Sequence, residues 1–136
     1  MSPTERDEFL AAERTCRVAS VGPDGSPHVT PLWFAWDGTA LWLNSIVRSQ
    51  RWSDLQRDNR VSVIVDTGGP FTELRGAAEV VGEVPRAGEP VPELEAPEQL
   101  FADKYAGGRV HHDGRHAWVR VTPTKIVSWD FRKMGA

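Results

Sequence analysis

Cysteine is nearly absent from this chain: Cys16 stands alone among 136 residues. An internal disulfide framework is therefore excluded, and a structural zinc site would have to use other ligands. Long apolar runs are missing too. No stretch approaches the ~20 apolar residues that span a bilayer, and no basic N-terminal segment leads into an apolar one, so neither a transmembrane helix nor a signal peptide is expected. The expectation is a soluble, cytoplasmic protein without a membrane partner. Strong charge of either sign is also lacking. A net charge of −3 and a pI near 5.8 argue against gripping nucleic acid through a general basic field. The sequence offers no G-x-S-x-G elbow, no H-E-x-x-H and no C-x-x-C, which removes the common nucleophile, zinc-protease and dithiol signatures.

What is present concentrates between Leu41 and Asp66, where an apolar strand, a Ser/Arg-rich connection, a short polar helix and a second apolar strand follow one another. Ser45, Arg48, Ser49 and Arg51 cluster at the strand-to-helix corner. With Ser49 as N-cap, unpaired backbone N–H groups and the positive end of the helix dipole face the same spot as two guanidinium groups. Such a corner attracts anions, and arginine adds charge-assisted, often bidentate bonds to phosphate oxygens. Capped helices with solvated arginines nearby are also common, and that plainer reading stays open from the corner alone.

The length fits one domain over residues 1–136, since domains run roughly 100–200 residues. Pro3 to Arg14 reads as a helix with Thr4 as candidate cap. Thr15 to Gly22 and Pro27 to Trp36 form a hairpin across Pro23-Asp24-Gly25-Ser26, and Asp37-Gly38 turns into a third strand, Thr39 to Ser45. Arg60 to Thr67 is a fourth strand. A fifth runs from Phe71 to about Val84, with Gly76 and Gly82 as sites for a bend or bulge. Pro85 to Pro97 reads as a loop, Glu98 to Tyr105 as a helix stopped by Gly107-Gly108, and His116 to Thr122 and Lys125 to Phe131 as two closing strands around Pro123-Thr124. The fold class is mainly β. Six or seven mostly sequential antiparallel strands with a few short helices point to a small closed or split β-barrel, which removes most exposed edges.

Several segments, taken in order, carry a resemblance: Arg17-Val18-Ala19-Ser20-Val21; Asp24-Gly25-x-Pro27-His28-Val29-x-Pro31-x-Trp33-Phe34; Ser49-Gln50-Arg51 with Leu55; and Asp58-Asn59-Arg60-Val61. Together they resemble the flavin-binding split-barrel superfamily of pyridoxamine 5′-phosphate oxidase-like proteins. Within it, Lys104-Tyr105-Ala106-Gly107 and the ending Pro123 to Lys133 are most similar to the deazaflavin-dependent reductases, which use coenzyme F420. The resemblance implies a six- to seven-stranded antiparallel split barrel of the FMN-binding type, and a homodimer with cofactor sites at the subunit interface. It also implies a phosphate anchor at Ser49, Gln50 and Arg51, with Arg48 supplying the charge that Gln50 lacks. Thr30, Pro31, Leu32 and Trp33 would contact the cofactor ring, where the oxidases themselves carry basic residues, and Ser45 would lie near the phosphate-bearing chain. Trp129 would reach the site of the partner subunit. Trp52 would either flank the cofactor or cover the barrel.

Hydride transfer is cofactor chemistry, so no essential nucleophile is expected and no catalytic residue is assigned. His28 and Tyr105 are the available proton donors, and nothing in the sequence selects either. Trp36, Trp42 and Trp118 read as core or interface packing, and Cys16 as a small buried apolar residue. The run His111-His112-Asp113-Gly114-Arg115-His116 reads as a turn with solvated histidines, with no metal expected. Three functions remain: an F420-dependent reductase acting on a small unsaturated or conjugated substrate, an FMN-dependent oxidoreductase, and a non-catalytic module that holds a cofactor or tetrapyrrole.

Overall fold

Alternation decides which way each strand faces. Cys16, Val18 and Ser20 are buried between exposed or half-buried neighbours, and Val61, Val63 and Val65 repeat the pattern, as expected of strands with one face in a core. The computed structural model describes residues 1–133. In it, α1 (Pro3–Ala12), β1 (Thr15–Val21), β2 (Pro27–Trp36), β3 (Leu41–Ile46), α2 (Gln50–Arg57), β4 (Arg60–Asp66), β5 (Pro70–Val81), α3 (Pro92–Tyr105) and β6 (His116–Asp130) precede a 3₁₀ turn at Phe131–Lys133. The strands close a barrel in the order β1-β2-β3-β6-β5-β4, every neighbouring pair antiparallel. Phe34, Leu43, Leu74 and Val119 fill its interior. A second apolar cluster, with Trp42, Trp118 and Leu94, lies between the outer wall and α3. Among the described residues no helix is long and apolar enough to cross a membrane.

Local chemistry moves several expected boundaries. Ser2, not Thr4, caps α1, because Glu5 completes a capping box with it. The segment expected to be a loop through Pro97 is helical from Pro92. Pro92 occupies the first turn, where a missing N–H is no loss, and the buried Pro97 is tolerated inside the helix. The two expected closing strands are one strand, β6. The register shifts between Arg75 and Gly76, where Pro123 pairs with Gly76, so a bulge absorbs the proline that otherwise reads as a break. A Cβ on Gly76 would come within 2.1 Å of the Thr122 carbonyl oxygen.

One departure from regular pairing positions the site. β2 pairs with β3 only over Phe34–Trp36, while Pro27 to Trp33 pair with β1 alone. On the other side, Asn44, Ser45 and Ile46 of β3 pair only with β6. The wall is therefore split between the first part of β2 and the end of β3.

Candidate functional site

Arg51 bridges that split. Ser49 caps α2, its Oγ accepting the Trp52 N–H at 3.1 Å and donating to the Ile46 carbonyl at 2.8 Å. From the first turn of this helix the Arg51 side chain runs inward and is only 6% exposed. Its Nε donates to Ser45 Oγ at 3.2 Å and its Nη1 to Thr30 Oγ1 at 2.8 Å. Both partners are neutral. Burial lowers its pKa, and no carboxylate offsets the loss of hydration.

The helix is held by a second buried group one turn on. Asp54 accepts hydrogen bonds from Gln50 Nε2 at 2.7 Å, Ser20 Oγ at 3.1 Å and Arg57 Nη2 at 3.1 Å, and His28 Nδ1 lies 3.2 Å away. These bonds, Gln50's foremost, hold its carboxyl below the usual range despite burial. Asp54 thereby pins α2 to β1 and β2 and fixes where Arg51 can reach. Gln50 is spent on this contact. Arg48 is exposed and lies with Arg115 along a separate recess, so the two guanidinium groups do not converge. Trp52 packs into the barrel core beside Leu55. Trp129 is 45% exposed on β6, opposite Phe71, and none of the other expected site residues is its strand partner.

A cavity of about 310 Å³ opens at the outer mouth of the split, reached by Leu32 and Trp33 of β2, Asn44 of β3 and Trp118 of β6. Trp33 stacks on Tyr105 at 4.5 Å and 4°, while Phe101 meets Trp118 edge-on at 5.2 Å. The Tyr105 hydroxyl accepts the Phe34 N–H at 3.2 Å and lies 2.6 Å from the Arg14 carbonyl, standing where the β1–β2 ladder ends. Its pKa is pushed up to about 12, chiefly by burial, and its proton is committed to backbone.

Below the aromatic wall lies a network that sequence reasoning missed. Glu98 accepts from Arg86 Nε and Nη2 at 3.0 Å each and from Trp118 Nε1 at 2.9 Å, with His112 Nε2 at 2.9 Å. Arg86 also pairs with Glu83. His116 Nδ1 sits 2.6 Å from Asp113 Oδ2, while Asp113 Oδ1 accepts the Arg115 and His116 N–H groups. The histidine run was visible as a run, but its carboxylate partners depend on α3 beginning at Pro92 and folding back over β6.

Comparison with known proteins agrees with this architecture. The family model described as pyridoxamine 5′-phosphate oxidase matches residues 2–130. A conserved hypothetical protein from Mycobacterium tuberculosis is 31% identical, with a TM-score of 0.81 over 100% of this chain and 89% of that one. An F420 reductase shares 24% identity, with a TM-score of 0.65 over 89% and 94% of the two chains. The haem storage protein HutZ from Vibrio cholerae shares 13%, with a TM-score of 0.76 over 93% of each. At those identities the last two establish the fold alone. No curated protein matches the chain.

Proposed function

The chain belongs to the pyridoxamine 5′-phosphate oxidase family, and from that membership we propose that it is an F420-dependent oxidoreductase that reduces a small unsaturated or conjugated substrate. The observation that carries the reading is Arg51: a buried cation that has two hydroxyls and no carboxylate for partners. Leaving a charge buried without a counter-charge is costly. A cofactor phosphate would supply the missing charge, and the donor set of guanidinium, Ser45, Thr30 and the first N–H groups of α2 fits one.

When bound, the deazaflavin supplies the hydride. The chain's own residues bind, orient and exclude water. Arg51, Ser45 and Thr30 hold the phosphate. The edge of β2 from Thr30 to Trp33, free of β3, offers backbone donors and acceptors to the polar rim of the ring system, and Leu32 and Trp33 cover its apolar surface. Pro31, Leu32 and Trp33 stand where the oxidases carry basic residues, which favours the deazaflavin form over FMN.

We also propose a homodimer. Val29, Trp33, Ile46, Val127, Trp129 and Phe131 are exposed apolar side chains, whose burial against another chain would be favourable. A second copy of the chain would cover them and close the site.

Tryptophan-fluorescence titration with coenzyme F420 and, in parallel, with FMN tests the cofactor. Tight F420 binding with weak FMN binding is expected. The reverse preference would move the protein to FMN chemistry, and binding of neither would reject the oxidoreductase reading.

A further inference from the structure

The cavity at the mouth of the split has a chemistry distinct from that of the Arg51 corner. Its walls are aromatic, with Trp33, Phe101, Tyr105 and Trp118 presenting ring faces and edges. Flat π-systems are what such walls hold best. Both carboxylates in the lining are already engaged, Glu98 by Arg86, His112 and Trp118, and Asp113 by His116 and two backbone N–H groups. Arg109 is different. Its backbone N–H bonds to the Ala106 carbonyl, and the exposed residue lines the cavity with no carboxylate partner among the described residues. His116 lines the same cavity with its Nδ1 turned to Asp113 Oδ2 at 2.6 Å. Size narrows the choice. At about 310 Å³ the cavity lies at the small end of the ~300–1,000 Å³ range of ligand pockets, which suits one or two rings and excludes enclosing a tetrapyrrole.

We propose that this cavity is the substrate pocket and that it takes a small planar conjugated carboxylate, its π-system on the aromatic wall and its carboxylate on Arg109. That it is the substrate's place rests on the oxidoreductase reading above. The binding itself does not, and it is measured on the protein without cofactor.

The test uses calorimetric titration with 2-naphthoate and its neutral isostere 2-naphthamide, on the wild type, Arg109→Gln and Arg51→Gln. Naphthoate should bind wild type roughly ten- to hundredfold more tightly than naphthamide, the worth of hydrogen bonds to a charged group. Arg109→Gln should remove most of that preference and leave naphthamide affinity unchanged, whereas Arg51→Gln should leave both affinities unchanged. Equal affinity for the two probes in wild type, or no binding of either, would overturn the proposal. A loss of naphthoate binding in Arg51→Gln instead of Arg109→Gln would also overturn it, by assigning the anion to the cofactor corner. Naphthoate binding that depends on Arg109, in a protein that binds neither F420 nor FMN, would support the pocket while rejecting the oxidoreductase reading.

Discussion

Two arginines are buried among the described residues, and they keep their charge by different means. Arg86 is held by two glutamates and a backbone carbonyl, while Arg51 has only hydroxyls. The first arrangement is complete within the chain, and the second leaves the cation without a counter-charge among the described residues. Replacing Arg51 by an apolar residue of similar length should therefore help the free protein and harm binding. Arg51→Met is expected to melt a few degrees higher than wild type without cofactor, read by differential scanning calorimetry. A lower melting temperature would mean the guanidinium is a structural strut. Lys104 is a second uncompensated cation. Its Nζ donates to the Leu10 carbonyl at 3.2 Å and lies 3.9 Å from the centre of the Phe34 ring, and burial pulls its pKa from 10.5 down to about 8. Between those values the unfolded chain binds more protons than the folded one, so this group makes stability rise with pH from about 8 to 10.5. Below that window its penalty is constant. The melting temperature of wild type should thus gain on that of Lys104→Met between pH 8 and 10, and a constant gap would show that the ammonium is not desolvated. At this scale the Ser49 cap and the clustering of Ser45 with Arg51 were legible, because a capped helix after a strand places its first turn predictably. Arg48 was not, since it precedes the cap and nothing in the pattern tells that its side chain turns outward.

Among the elements, β5 and β6 depend on a single missing side chain. Gly76 faces the Thr122 carbonyl at the bulge, and any Cβ there must displace backbone. Gly76→Ala should cost about 1–3 kcal/mol, the range for overpacking a filled site, measured by urea denaturation. A change below about 0.5 kcal/mol, the scatter of ordinary surface substitutions, would show that the bulge shifts freely. The glycine was readable as a bend, yet Pro123 was read as an interruption, because a proline taken alone breaks a strand and only its partner's irregularity absorbs it. The start of α3 was hidden for a related reason. Its prolines signal loop by composition, and Pro92 serves the helix only because it falls in the first turn.

For the whole molecule, period-two alternation and glycine-marked turns were enough to indicate an antiparallel barrel, since a strand with one buried face specifies its partners' register. The cavity was beyond such reasoning. Its lining comes from Leu32, Asn44, Phe101 and Trp118, residues far apart in sequence that meet only once α3 folds over the barrel wall. The exposed Trp129 and Phe131, 45% and 53% accessible, belong to this scale as well, because we propose that a second copy of the chain covers them. Sedimentation equilibrium should find a two-chain species, and Trp129→Asp should shift it toward monomer. A monomeric wild type at micromolar concentration would reject the dimer.

We propose that Arg51 has no counter-charge within the chain because a cofactor phosphate provides it. Titration calorimetry of wild type and Arg51→Gln with coenzyme F420 tests that directly. The variant should bind about 1.5–3 kcal/mol more weakly, the value of hydrogen bonds to a charged group. Equal affinity in the two proteins would contradict the claim.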